Sequence, residues 1–288
     1  MLEGAMLLWW ILTVPSVLFV TIDIWRNAPE SKVLKWAFVI LTFFTGPLGA
    51  FFYVLGCREP LRGTHEQYVS ARWRQVLGST MHCVAGDGIG IIAGAAIGAG
   101  LAISFWPDFL LEYTLGFGFG WAFFQAFAMR DMAGGSYLAS LKMTFLPELL
   151  SMNLLMAGML LTSRIGMGQV AQGEDPARPQ FWFIMSMALI VGFVCAYPIN
   201  WWLVANHMKH GMLTVRGEPL QAPATTMPMG AAPEMPEMPE MSAMPEMPEM
   251  PESSGPDRVQ PSTGAKAMMT VLSFAILGAA LVVVQFVL

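Results

Sequence analysis

His82, Cys83 and Asp87 open a stretch, MHCVAGDGIGIIAGAAIGAGLAIS over Met81–Ser104, that is long and apolar enough to cross a bilayer. Ionisable groups inside such a span are costly and mark function. Cys83 and Asp87 are four apart and share a helix face, with His82 adjoining. Imidazole with thiolate is a copper- or zinc-type donor pair. The plainer readings are a hydrogen-bonded interfacial histidine and an inert buried cysteine. Beneath His82 runs a row of glycines spaced by four, Gly86, Gly90, Gly94 and Gly98, which leaves one flank nearly bare for a close neighbour.

Further along, Glu148, Met152, Met156 and Met159 follow helical spacing with Asn153 beside them. A buried carboxylate above thioethers would suit the passage of a soft cation. Met129 and Met132, three apart, could add two sulfurs, and Glu112 and Gln125 are further polar residues nearby. His207 and His210, also three apart, lie on one helical face, which suits a shared ion, next to the belt pair Trp201 and Trp202. The segment PEMPEMPEMSAMPEMPEMPE places Met235, Met238, Met241, Met244, Met247 and Met250 at every third residue. A polyproline II helix, with three residues per turn, would line these thioethers along one edge, and such soft donors select Cu(I). The same repeat reads equally as an acidic disordered linker.

The elements that must position these groups follow from composition. The 288 residues are 55% hydrophobic and only 12% charged, which indicates an all-α integral membrane protein. Seven apolar stretches qualify as spans: Met6–Trp25, Val33–Gly56, Met81–Ser104, Leu110–Met129, Leu138–Thr162, Phe181–Val204 and Met268–Leu288. The expected organisation is two N-terminal transmembrane helices (1–57), a basic interfacial loop (58–79), a four-helix core (80–212), a disordered Met/Pro/Glu-rich linker (213–266) and a C-terminal helix (267–288). Three cysteines (Cys57, Cys83, Cys195) are too scattered for a disulfide framework.

Strict alternation of seven spans would put the N-terminus, all four histidines and the methionine-rich loop on one face. That face carries Arg58, Arg62, Arg72, Arg74, Arg130, Lys142, Lys209, Arg216 and Lys266, against Arg26, Lys32, Lys35, Arg164 and Arg178 opposite. The positive-inside rule then makes it cytoplasmic in a multi-pass protein of the cell (inner) membrane. No phosphate-binding loop, dinucleotide fingerprint, HExxH or nucleophile elbow occurs, so the expectation is a non-enzyme without a nucleic-acid partner.

FWFIMSMALIVGFVCAYPINWWLV, with its aromatic start and Y-P-x-N-W-W-L finish, resembles the last helix of the membrane family known as domain of unknown function 4396. His82, Cys83, Gly86 and Asp87 are similar to that family's first core helix, and Glu148 and Met156 to its third. The resemblance covers about residues 74–212 and implies a four-helix membrane core. This chain departs from the family in lacking a second cysteine near Gly-Asp and in having MTFLP before the glutamate. Members often occur beside copper-handling proteins, which implies such a protein as a partner. The leading expectation is a Cu(I) transporter or metal-delivery protein with its site at one face of the bundle. The alternatives are a haem-binding redox subunit with His82 and His207 as axial ligands, and an assembly partner or oligomer docking through the glycine faces.

Overall fold

The computed structural model describes residues 2–61, 64–130, 134–209, 211 and 261–286, and these are all-helical with no strand among them. Among the described residues five helices are long and apolar enough to cross a membrane: α1 (Leu2–Asn27), α5 (Arg72–Leu101), α8 (Tyr137–Gln169), α9 (Pro179–Ala205) and α10 (Thr263–Phe286). The expected linker 213–266 falls largely outside the described residues, and with it Met235, Met238, Met241, Met244, Met247 and Met250; Met132 and His210 lie outside them as well.

The second apolar stretch is divided. Ser31 caps α2 (Lys32–Thr45) by accepting from the Leu34 amide, and Gly46, at φ +55°, ends it. Pro47 then opens α3 (Pro47–Gly56), where its fixed φ and missing N–H cost nothing. The two helices are antiparallel. Glu30, just before α2, lies 3.9 Å from Cys57, just after α3. The Tyr53 hydroxyl donates to Asp23, near the end of α1, at 2.7 Å, and the Phe38 and Tyr53 rings meet edge-on at 5.6 Å. At the hairpin tip, Gly46 lies against Thr13 and Trp9, towards the start of α1.

Val33–Gly56 therefore enters and returns on the same side, which corrects the sequence expectation of a second crossing helix and of two transmembrane helices in 1–57. A sequence window registers apolar length, and only the Gly46–Pro47 break marks the reversal. The alternation shifts with it: the Leu2 end of α1 lies on the side opposite His82. Trp9 marks that side by meeting Phe183, at the start of α9, with ring centroids 6.3 Å apart. His65, His82, His207, Cys57 and Cys83 still share a side with one another.

A short helix, α4 (His65–Val69), leads into α5, and the Arg74 guanidinium lies 3.7 Å from the Tyr68 ring centroid. Next to α5 runs a composite rod: α6 (Phe105–Phe117), a π-helical segment (Gly118–Gln125) and the single turn α7 (Ala126–Ala128). It is antiparallel to α5 and packs into the glycine row. Side chains at Gly86, Gly90, Gly94 and Gly98 would meet Phe124, the Leu115 backbone, Glu112 and Asp108 in turn. The row is thus filled by the chain's own next helix. Helices α8 and α9 close the core, and α10 packs on α8, where Asn153 donates to the Ser273 hydroxyl at 3.1 Å.

Candidate functional site

The four core rods converge on one buried polar centre. Cys83 and Asp87 come from α5, Gln125 from the end of the π segment, Glu148 and Ser151 from α8, and Asn200 from α9; all six are buried. The centre is completed by Lys209, which lies beyond α9. That helix stops at Ala205, and His207 adopts φ +55°, a left-handed conformation that His tolerates better than most residues. The turn folds the lysine back into the bundle, leaving its side chain 3% exposed.

The Lys209 ammonium lies 3.1 Å from Glu148 Oε2 and donates to Asn200 Oδ1 at 2.9 Å and to Cys83 Sγ. Cys83 Sγ also accepts from Gln125 Nε2 at 2.7 Å and stands 3.2 Å from Glu148 Oε2, with which it shares a thiol–carboxylate hydrogen bond. Asn200 is held by its own donation to Ser151 Oγ at 2.8 Å. Asp87 completes the anionic side: a side chain at Gly120 would collide with Asp87 Oδ1 and lie 2.9 Å from Glu148 Oε1, so both carboxyls converge on that glycine. Gly120 belongs to the π segment, whose irregular winding brings both it and Gln125 to α5; such segments recur at functional sites.

The sequence candidates separate in space. Cys83, Asp87 and Glu148 come together. His82 is buried next to them, with its ring edge-on to Phe124 at 5.6 Å. Met129 is buried at the end of α7. Met152 reaches Gly116 of α6, whereas Met159 lies against Gly192 of α9, so the thioethers do not line a single face; Met156 is buried between helices. His207 is exposed in the turn past α9 and sits on no helical face, whereas the sequence reading puts it on one; its expected companion His210 lies outside the described residues. Sequence reasoning missed Lys209, which reads as an ordinary headgroup lysine, and Asn200, which lay unremarked inside the Y-P-x-N-W-W-L motif. The signal for Lys209 was local: ANHMKHG places Asn and Gly, both turn formers, on either side of the lysine.

On the opposite side of the core a cavity of about 270 Å³ is lined by Asp108, Glu112, Ser163 and Arg164 among others, with Arg164 3.7 Å from Asp108. Gly94, against which Glu112 packs, lies seven residues from Asp87, about 10 Å by helical rise. Ile91, Gly116 and Met152 meet in that interval. A polar centre, an apolar partition and a polar cavity thus follow one another along α5.

No curated protein and no solved structure matches the chain. The family model described as domain of unknown function (DUF4396) matches residues 72–209. The match begins with the first residue of α5 and ends on Lys209, enclosing the whole polar centre. The helical core of this chain thus matches the DUF4396 family model, within a chain whose five long apolar helices mark it as an integral membrane protein.

Proposed function

We propose that this protein handles Cu(I) in the cell (inner) membrane, as a transporter or metal-delivery factor, and that the ion is bound at the Cys83–Asp87–Glu148 centre in exchange for the Lys209 ammonium. The observation that carries the reading is the place of that ammonium: a single positive charge inside the bundle between a sulfur and a carboxylate. A monovalent soft ion could take its position without changing the charge of the centre, the Cys83 proton passing to Glu148 Oε2, with which the thiol already shares a hydrogen bond, so that the thiolate ligates the ion and makes the site selective for a soft one. His82, beside Cys83, is the nearest imidazole in sequence to this centre and would be a further ligand. The cavity at Glu112 supports access from the other side, with the Ile91–Met152 partition between. The methionine repeat would collect or deliver ions.

The test separates core from repeat. Protein lacking residues 227–252, purified without a histidine tag from copper-fed cells, is expected to retain about one copper per chain by elemental analysis, as a single thiolate site would. Adding Cys83→Ser or His82→Ala in that background should reduce the copper content; unchanged stoichiometry would overturn the core assignment.

A further inference from the structure

A second cluster of donors lies outside the stretch that the DUF4396 family model matches. Glu30 is in the loop between α1 and α2, Cys57 caps the end of α3, and His65 is the first residue of α4. His65 Nε2 lies 3.1 Å from Glu30 Oε1, Cys57 Sγ lies 3.9 Å from the same oxygen, and one donor atom from each residue falls within 4.8 Å of the other two. All three are buried, Cys57 completely. The second carboxylate oxygen, Glu30 Oε2, is also buried and has no hydrogen-bond partner among the described residues. Around an ion bound at about 2.0–2.3 Å, tetrahedral donors stand roughly 3.3–3.8 Å apart, so the cluster closes on one with shifts of a few tenths of an ångström to about 1 Å.

The surroundings are braced in the same way. Asp23 accepts from Tyr53 at 2.7 Å, Arg58 at 2.8 Å and Asn27 at 2.8 Å, which ties the end of α1 to the end of α3 on either side of the donors. The cluster thus joins three segments that the helices alone leave as separate chain ends.

We propose that Glu30, Cys57 and His65 form a zinc(II)-type site with three protein ligands and an open fourth position. A thiolate and a carboxylate supply two negative charges, here with no buried ammonium among the described residues such as Lys209 provides in the core centre, which matches a divalent ion, and a sulfur, nitrogen and oxygen set is what zinc accepts. The site pins the re-entrant hairpin to the helix that leads into α5. It stands independently of the copper reading, because it shares no residue with the core centre.

The experiment titrates the full chain in detergent with Zn²⁺ alone, and with Co²⁺ alone as the spectroscopic substitute. Expected are about one zinc per chain and a thiolate-to-cobalt charge-transfer band. Cys57→Ser should abolish the band, and Glu30→Gln and His65→Gln should each weaken zinc binding by at least ~10-fold, the smallest loss typical of disturbed metal sites. Cys83→Ser should leave both unchanged. If Cys57→Ser does not elute as folded protein, the Glu30→Gln and His65→Gln titrations decide. Absence of tight zinc binding, or a band lost with Cys83→Ser and kept with Cys57→Ser, would overturn the proposal.

Discussion

At the scale of single residues, the centre turns on one lysine. Lys209 and Glu148 are both buried, and removing one member of such a pair strands the other's charge, at a cost of about 3–5 kcal/mol. Lys209→Leu is therefore expected to lower thermal stability in detergent, and the double variant Lys209→Leu/Glu148→Gln to recover much of the loss; additive losses would show that the two do not act as a pair. In Lys209→Leu, added Cu(I) should restore the melting temperature more than it raises that of the parent, because the ion would supply the missing charge. Much of this centre was legible beforehand. Cys83, Asp87 and Glu148 stood out because thiol and carboxyl groups inside apolar runs are expensive to bury. Lys209 did not, because a lysine just past a tryptophan belt is what a snorkelling anchor looks like, and only the backbone reversal at His207 distinguishes the two.

At the scale of elements, the glycine row positions the site. Its Cα atoms let the α6–π–α7 rod approach α5 closely enough for Gln125 to reach Cys83. A methyl group at Gly90 would stand 2.5–2.6 Å from the Leu115 carbonyl carbon and Gly116 Cα, backbone atoms that cannot rotate aside. Gly100, on the same helix, has nothing within 4 Å. Gly90→Ala should accordingly destabilise the protein by about 1–3 kcal/mol and Gly100→Ala hardly at all, as measured by matched melting curves. The row's spacing announced close packing in the sequence. Its partner was not announced, since the same spacing serves a neighbouring helix and a second subunit alike. The re-entrant hairpin was hidden for a related reason: apolar length registers burial in lipid and says nothing of direction.

For the whole molecule, that hairpin resets the sidedness of the chain. With both ends of α2–α3 together, Arg26, Lys32 and Lys35 join Arg58, Arg72, Arg74, Arg130 and Lys142 on the side of Lys209, leaving Arg164 and Arg178 opposite. The positive-inside rule then predicts that the side carrying the Lys209 centre and the Glu30–Cys57–His65 cluster faces the cytoplasm and that the Leu2 end of α1 faces out. Reporter fusions at the Leu2 end and in the 170–178 loop should both report the outer side and one in the 58–64 segment the inner; the reverse pattern would invert the assignment. Within the described residues His65, His82 and His207 lie towards one end of the bundle and the Leu2 end of α1 towards the other.

The π-helical segment carries a last consequence, for insertions and deletions. Between Gly118 and Gln125 the chain winds more loosely than an α-helix, so it holds more residues than an α-helix of equal height would. Losing one residue there and relaxing to regular winding would turn everything beyond it by about 100°, swinging Gln125 away from Cys83. Substitutions that keep the count can be absorbed locally, whereas a change of length is felt at the centre itself. The segment works as a spacer whose setting is a number of residues.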